Sequence, residues 1–259
     1  MPFFTHDGHR LHYREQRHND ATRPLLLVLP GNTATSAQHG GELAYFGIRY
    51  HAVALDFWGT GQSDRLTVWP DDWYQQAASD AAALVMHLGR AQATVVGTSG
   101  GATVALWMAV LHPDRVSAVI ADSTVACYPP DALHTELENR ERRTPDQVAF
   151  WRDAQGEDWT EVIEADSDML HRLAERGGRM APERMSEILC PVLLTASFDD
   201  PLLPDVGHQL SDMGQQIPNA RVYLTKGGDH PLMWSRSTEF RRVCDLFLDE
   251  AVNFPGRGT

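Results

Sequence analysis

The 259-residue chain has one lysine, Lys226, against 21 arginines, and only three cysteines. Cys127, Cys190 and Cys244 are far apart and odd in number, and no Cys-x-x-Cys pair occurs. Neither a zinc knuckle nor a disulfide framework is indicated, and a reducing compartment is expected. Positive charge is scarce: 22 Lys and Arg face 35 Asp and Glu, a formal net charge of −13. So acidic a surface repels a phosphate backbone, so nucleic acid is not an expected partner. Long apolar runs are missing, and none approaches the ~20 residues of a membrane helix. Residues 1–8 show no basic stretch followed by an apolar one, so no signal peptide is read there. The expectation is a soluble, cytoplasmic protein with no membrane partner and unassigned oligomeric state.

What is present is an alternation. Phe3–His6 and Arg10–Tyr13 flank the turn pair Asp7-Gly8 and read as a hairpin, followed by a polar loop over 14–23. Leu25–Leu29 is an unbroken apolar run ending at Pro30-Gly31, which suits a strand buried on both faces. His51–Leu55, Ala93–Val96, Val116–Ala121, Val192–Thr195 and Val222–Leu224 read as further strands. Trp73–Leu88, Ala102–Leu111, Val206–Gln216 and Thr238–Leu248 read as helices. Asp72 and Gln75 form a capping-box pattern at the first of these helices. The rhythm predicts a doubly wound α/β sheet. It breaks over 124–187, which holds 15 acidic and 8 basic residues and no strand-like run. That stretch reads as inserted helices whose charge belongs to solvated faces.

Gly97-Thr98-Ser99-Gly100-Gly101 matches G-x-S-x-G directly after a strand and directly before a helix. A nucleophile elbow needs that placement, because a sharp turn lifts the serine hydroxyl above the sheet at a helix N-terminus. No Gly-Lys-Ser/Thr follows, so this is no phosphate loop. A base is then required. Of 12 histidines, His230 lies beyond the last strand, where a parallel sheet collects its chemistry. Asp199 and Asp200 follow the strand before it and are both candidates for the acid. The Gly100 N–H and the Asn32 N–H, in the loop after the first buried strand, are the expected oxyanion donors. His6, His9 and His12 read as surface histidines of the hairpin, with alternation sending His9 opposite to the other two. No metal and no cofactor is expected.

Together these landmarks resemble the α/β-hydrolase superfamily, and its esterase and valacyclovir-hydrolase-like branch most. They are Leu-Pro-Gly-Asn at 29–32, Asp56 to Ser63, Gly-Thr-Ser-Gly-Gly at 97–101, Pro191, Asp200 four residues before Pro204, and Gly228-Asp-His230. The resemblance implies a mostly parallel eight-stranded sheet over 1–123 and 188–259, with a helical cap at 124–187. It selects Asp200 as the acid. It also implies a serine hydrolase of small to medium carboxylic esters with catalytic Ser99, Asp200 and His230. A cofactor-free perhydrolase or haloperoxidase, a C–C bond hydrolase and a non-catalytic receptor share the fold. Gly100 stands where valacyclovir-hydrolase-like enzymes carry an acidic residue, so a preference for amino-acid esters does not follow.

Overall fold

A computed structural model describes residues 2–16 and 22–251. Its eight strands are β1 (Phe3–His6), β2 (His9–Gln16), β3 (Leu25–Leu29), β4 (His51–Leu55), β5 (Ala93–Thr98), β6 (Val116–Asp122), β7 (Val192–Ser197) and β8 (Ala220–Thr225). They form one sheet in the order β1-β2-β4-β3-β5-β6-β7-β8. The β1–β2 and β2–β4 pairs are antiparallel, and every other pair is parallel. The strand β2 runs further than the hairpin read from sequence, and residues 17–21 of the expected polar loop lie outside the described residues.

The helices are α1 (Gly40–Phe46), α2 (Trp73–His87), α3 (Gly100–Leu111), α4 (Pro130–Glu141), α5 (Pro145–Gln155), α6 (Trp159–Glu175), α7 (Val206–Gln216), α8 (Leu232–Ser235) and α9 (Ser237–Ala251). Every residue of β3 is buried, so both faces of the sheet need cover. Leu25, Leu27 and Leu29 face the side covered by α3 and belong to the same core cluster as buried residues of α2 and α7. Leu26 and Val28 point the other way, toward α1 and α9. Two-sided burial of this kind explains the unbroken apolar run, each leucine contributing roughly 1.5–3 kcal/mol. No helix among the described residues is long and apolar enough to cross a membrane. Cys127, Cys190 and Cys244 are free thiols.

The helices α4, α5 and α6 fill the interval between β6 and β7. The two ends of this inserted segment meet at a neck. There the Tyr128 N–H donates to Gly178 O at 2.8 Å, and the Met180 N–H to Ala126 O at 3.0 Å. The capping box expected at α2 does not form: Asp72 has φ −101° and ψ 25° and makes no side-chain cap bond. Its carboxylate instead accepts from Gln76 Nε2 at 2.9 Å. A box needs an extended N-cap residue to aim the side chain at the first turn, and Asp72 is already close to helical.

Candidate active site

The turn from β5 into α3 places Ser99 at φ 53° and ψ −125°. An L-residue held there stores roughly 1–3 kcal/mol of strain, which its surroundings must over-determine. They do so through close approach. The Ser99 N–H donates to Asp122 O at 2.8 Å, pinning the turn to the end of β6. A Cβ on Gly97 would lie 2.2 Å from Gly101 O, and one on Gly101 would lie 2.1 Å from Leu29 O. Glycine at both positions lets β3, β5 and α3 close up beneath the serine.

Gly100 follows, and a Cβ there would lie 1.6 Å from Asn32 Oδ1 and 3.3 Å from Asn32 N. The loop after β3 therefore folds directly onto the start of α3. Asn32 is buried, and its side chain is fully engaged. The Nδ2 group donates to Asp166 Oδ1 at 2.7 Å and to the Tyr74 hydroxyl at 3.1 Å. Burial and the charge of Asp166 push the Tyr74 phenol up, so it stays protonated.

On the far side of the sheet edge, His230 Nδ1–H donates to Asp200 Oδ2 at 2.8 Å. The Asp200 side chain is 0% exposed and that of His230 14%. Its other oxygen, Oδ1, accepts the Leu202 N–H at 2.9 Å, so the carboxylate is held at both ends. Beyond His230, the Leu232 N–H reaches Ser123 Oγ at 2.8 Å and the Met233 N–H reaches Asp122 Oδ2 at 3.0 Å. Burial pushes the Asp122 carboxyl up to about 6, against bonds from Thr195, Met233 and Thr98 that hold it down.

Asp199 does not face the imidazole. Its Oδ2 accepts the Gly227 N–H at 2.7 Å, while Ser197 Oγ accepts from Asp199 N at 3.0 Å and Gly228 N at 3.1 Å. Together these bonds lace the β7 and β8 loops to each other. The adjacent carboxylates thus divide as extended neighbours do, one toward His230 and one toward the facing loop.

Ser99, Gly100, Asn32 and His230 line one cavity of about 420 Å³. Asp200 stands behind His230. Four of the expected site residues thus line one cavity, and Asp200 is joined to it through its bond to His230. The opposite wall of the cavity comes from the inserted segment and includes Glu136, Arg140, Phe150 and Trp151.

One feature of this wall was not read from the sequence. Asp166 on α6 is fully buried and bonds Asn32 on one oxygen and Arg140 Nη1 on the other, at 2.5 Å. A signal for it exists: Val162, Ile163, Ala165, Met169, Leu170 and Leu173 form the buried face of α6, and Asp166 sits among them. An acid on an apolar stripe must have a partner. Arg140 carries no comparable signal.

The histidines at positions 6, 9 and 12 also depart from expectation. His6 and His9 are register partners across the Asp7-Gly8 turn, so they share a face. His12, three residues on, takes the opposite face, is fully buried and pairs with Asp56 at 2.7 Å. Alternation along one strand does not apply across a turn, where directly opposed residues point the same way. Burial would raise Asp56, but bonds from His12, Gln62 and Ser36 hold its carboxyl below the ordinary value.

Residues 24–179 match the family model described as alpha/beta hydrolase fold, and the chain belongs to that family. Within it, the chain is similar to serine hydrolase BPHL of Mus musculus, 26% identical over 263 residues, covering 93% of this chain and 84% of that protein. It is similar also to the putative carbamate hydrolase RutD of Caulobacter vibrioides, 25% identical over 274 residues, with 97% and 99% covered. Among solved structures, the enol-lactonase from Burkholderia xenovorans LB400 shares the fold with a TM-score of 0.77 at 20% identity, covering 96% of this chain and 100% of that one.

Proposed function

We propose that this protein is a serine hydrolase that cleaves carboxylic esters of small to medium size through an acyl-enzyme. The observation that carries the reading is the bond from His230 Nδ1–H to a buried Asp200, in a cavity shared with the strained Ser99. With Nδ1 committed to the carboxylate, the neutral imidazole keeps its Nε2 lone pair for the serine proton. Ser99 Oγ attacks the acyl carbon as His230 takes that proton. The Gly100 and Asn32 N–H groups receive the charge that develops on the carbonyl oxygen. His230 then protonates the departing alcohol, and water on the same base releases the acid.

Asp200 orients the ring and stabilises its charged form. The inserted segment acts as a cap, and its wall of Phe150 and Trp151 selects the acyl or alcohol group by shape. The name of the BPHL relative, a serine hydrolase, supports the chemistry. Three free thiols suit a cytoplasmic setting.

The test is a chain-length series of p-nitrophenyl esters with wild type and Ser99→Ala. Wild type should hydrolyse short and medium acyl chains. The variant should fold and lose about 10⁴-fold or more in kcat/KM. A Ser99→Ala protein keeping half the rate would sink the reading.

A further inference from the structure

We propose that His6, His9 and Asp80 form a site for a divalent transition-metal ion of the zinc class, which fastens the N-terminal hairpin to α2. The site lies outside the cavity described above and is independent of the ester chemistry, since none of its three residues lines that cavity. The last register pair before the hairpin turn, His6 and His9, presents both rings to one side. There they meet Asp80, a buried carboxylate at 2% exposure on α2.

His6 Nδ1 lies 2.7 Å and His9 Nε2 3.1 Å from the same Asp80 Oδ1. One ligand atom from each residue falls within 4.8 Å of the others. A zinc-class cation bonds imidazole nitrogen and carboxylate oxygen at about 2.0–2.2 Å, which sets neighbouring ligand atoms about 3 Å apart. Two of these separations are already near that spacing and all three atoms lie within 4.8 Å, so small ring adjustments would let a cation sit among them, each imidazole turning a bare nitrogen to the metal and carrying its proton on the other ring nitrogen.

Two further features favour loading. The His9 ring is stacked on Trp58, with centroids 4.1 Å apart and planes at 5°, which fixes its orientation before any ion arrives. Among the described residues, no arginine or lysine pairs with Asp80, so both of its ion-pair partners are imidazoles. The His6 side chain is 26% exposed, which leaves a path from solvent and room for water in the remaining positions. Two imidazoles with one carboxylate select zinc, cobalt or nickel over calcium or magnesium, which prefer all-oxygen sites.

The experiment uses untagged, chelator-stripped full-length protein titrated with Co²⁺ and then Zn²⁺. One Co²⁺ per chain should bind with a visible d–d band, and Zn²⁺ should displace it. Free zinc at 100 times its Kd should raise Tm by about 5–10 °C. Asp80→Asn and His6→Ala, the latter at a partly exposed position, should each abolish the band while the stripped proteins stay folded. Should Asp80→Asn fail to fold, His6→Ala carries the test alone. Absence of stoichiometric Co²⁺ binding would overturn the proposal. So would a band that survives His6→Ala and vanishes in a variant of the His134 and His171 pair, whose rings lie 6.0 Å apart.

Discussion

The two walls of the cavity are built by different physics. One wall rises from the strand ends, where Ser99, Gly100, Asn32 and His230 are set by main-chain hydrogen bonds and by glycines that leave no spare volume. The other wall belongs to α4–α6, and many of its ties to the sheet are polar side chains. Arg65 grips Asp158 through Nε and Nη2 at 2.6 and 2.8 Å. Gln155 accepts from the Gly61 N–H at 2.8 Å and donates to Thr33 O at 3.0 Å. Asp166 joins Arg140 to Asn32.

Close packing tolerates almost no displacement, whereas exposed ion pairs are each worth about 0.2–1 kcal/mol and exchange readily with water. The difference assigns precision to the sheet wall and adaptability to the inserted wall. Asp166 is the exception: it is buried, and it connects the adaptable wall to the loop that carries a proposed oxyanion donor.

Changes confined to one wall should separate these roles. The largest effect belongs to the sheet side. Asp200→Asn should cost up to about 10⁴ in kcat with the melting temperature little changed, because the imidazole loses its acceptor and its tautomer. Asp199→Asn, which loses only part of a loop-to-loop bond, should cost about tenfold or less. Steady-state rates on one p-nitrophenyl ester compare the two, and a reversed order would move the acid by one residue.

Next comes the bridge between walls. Asp166→Ala leaves Arg140, half-buried on the cavity wall, with Glu136 at 3.4 Å as its remaining carboxylate partner among the described residues, and should cost about 2–3 kcal/mol in denaturant unfolding. It should also lower kcat, since Asn32 loses its anchor. A variant that unfolds earlier yet turns over normally would disconnect Asp166 from the chemistry.

Gly101→Ala should cost about 3 kcal/mol, roughly 6–12 °C of Tm, because the new methyl meets the carbonyl of Leu29. A melting curve matching wild type would show that the close approach is not needed.

The smallest effects lie in the inserted wall. Trp151 lines the cavity, whereas Trp159 does not, although the two rings stack with centroids 5.8 Å apart. Trp151→Ala should shift the preference between short and long acyl chains by about tenfold. Trp159→Ala should lower Tm and leave the acyl profile nearly unchanged. Equal profiles for the two variants would show that the pair acts only as a packing unit.

The same contrast explains what the sequence disclosed. Burial on both faces writes itself as unbroken apolar runs, so Leu25–Leu29 and His51–Leu55 were legible as strands with their bounds. The elbow was legible because its glycines are required by contact, not merely allowed. α3 begins at Gly100, two residues before its reading, and α1 was missed. Both open on Gly-Gly, which propensity assigns to turns, and here tertiary contact overrides it. Polar partnerships across the fold leave almost no local trace. Nothing near Arg140 foretells Asp166, and nothing near His6 foretells Asp80. Only the misplaced acids, Asp166 on the apolar stripe of α6 and Asp80 on that of α2, could have been noticed, without their partners.

The central claim is that Ser99 becomes acylated. Rapid mixing of wild-type protein with p-nitrophenyl acetate, quenched in acid and followed by peptide mass spectrometry, tests it most directly. The account predicts a peptide spanning residues 97–101 that is heavier by one acetyl group on Ser99, present in wild type and missing from Ser99→Ala. Ester hydrolysis at the wild-type rate with no acetylated Ser99 under quench, or with the label on another residue, would contradict it.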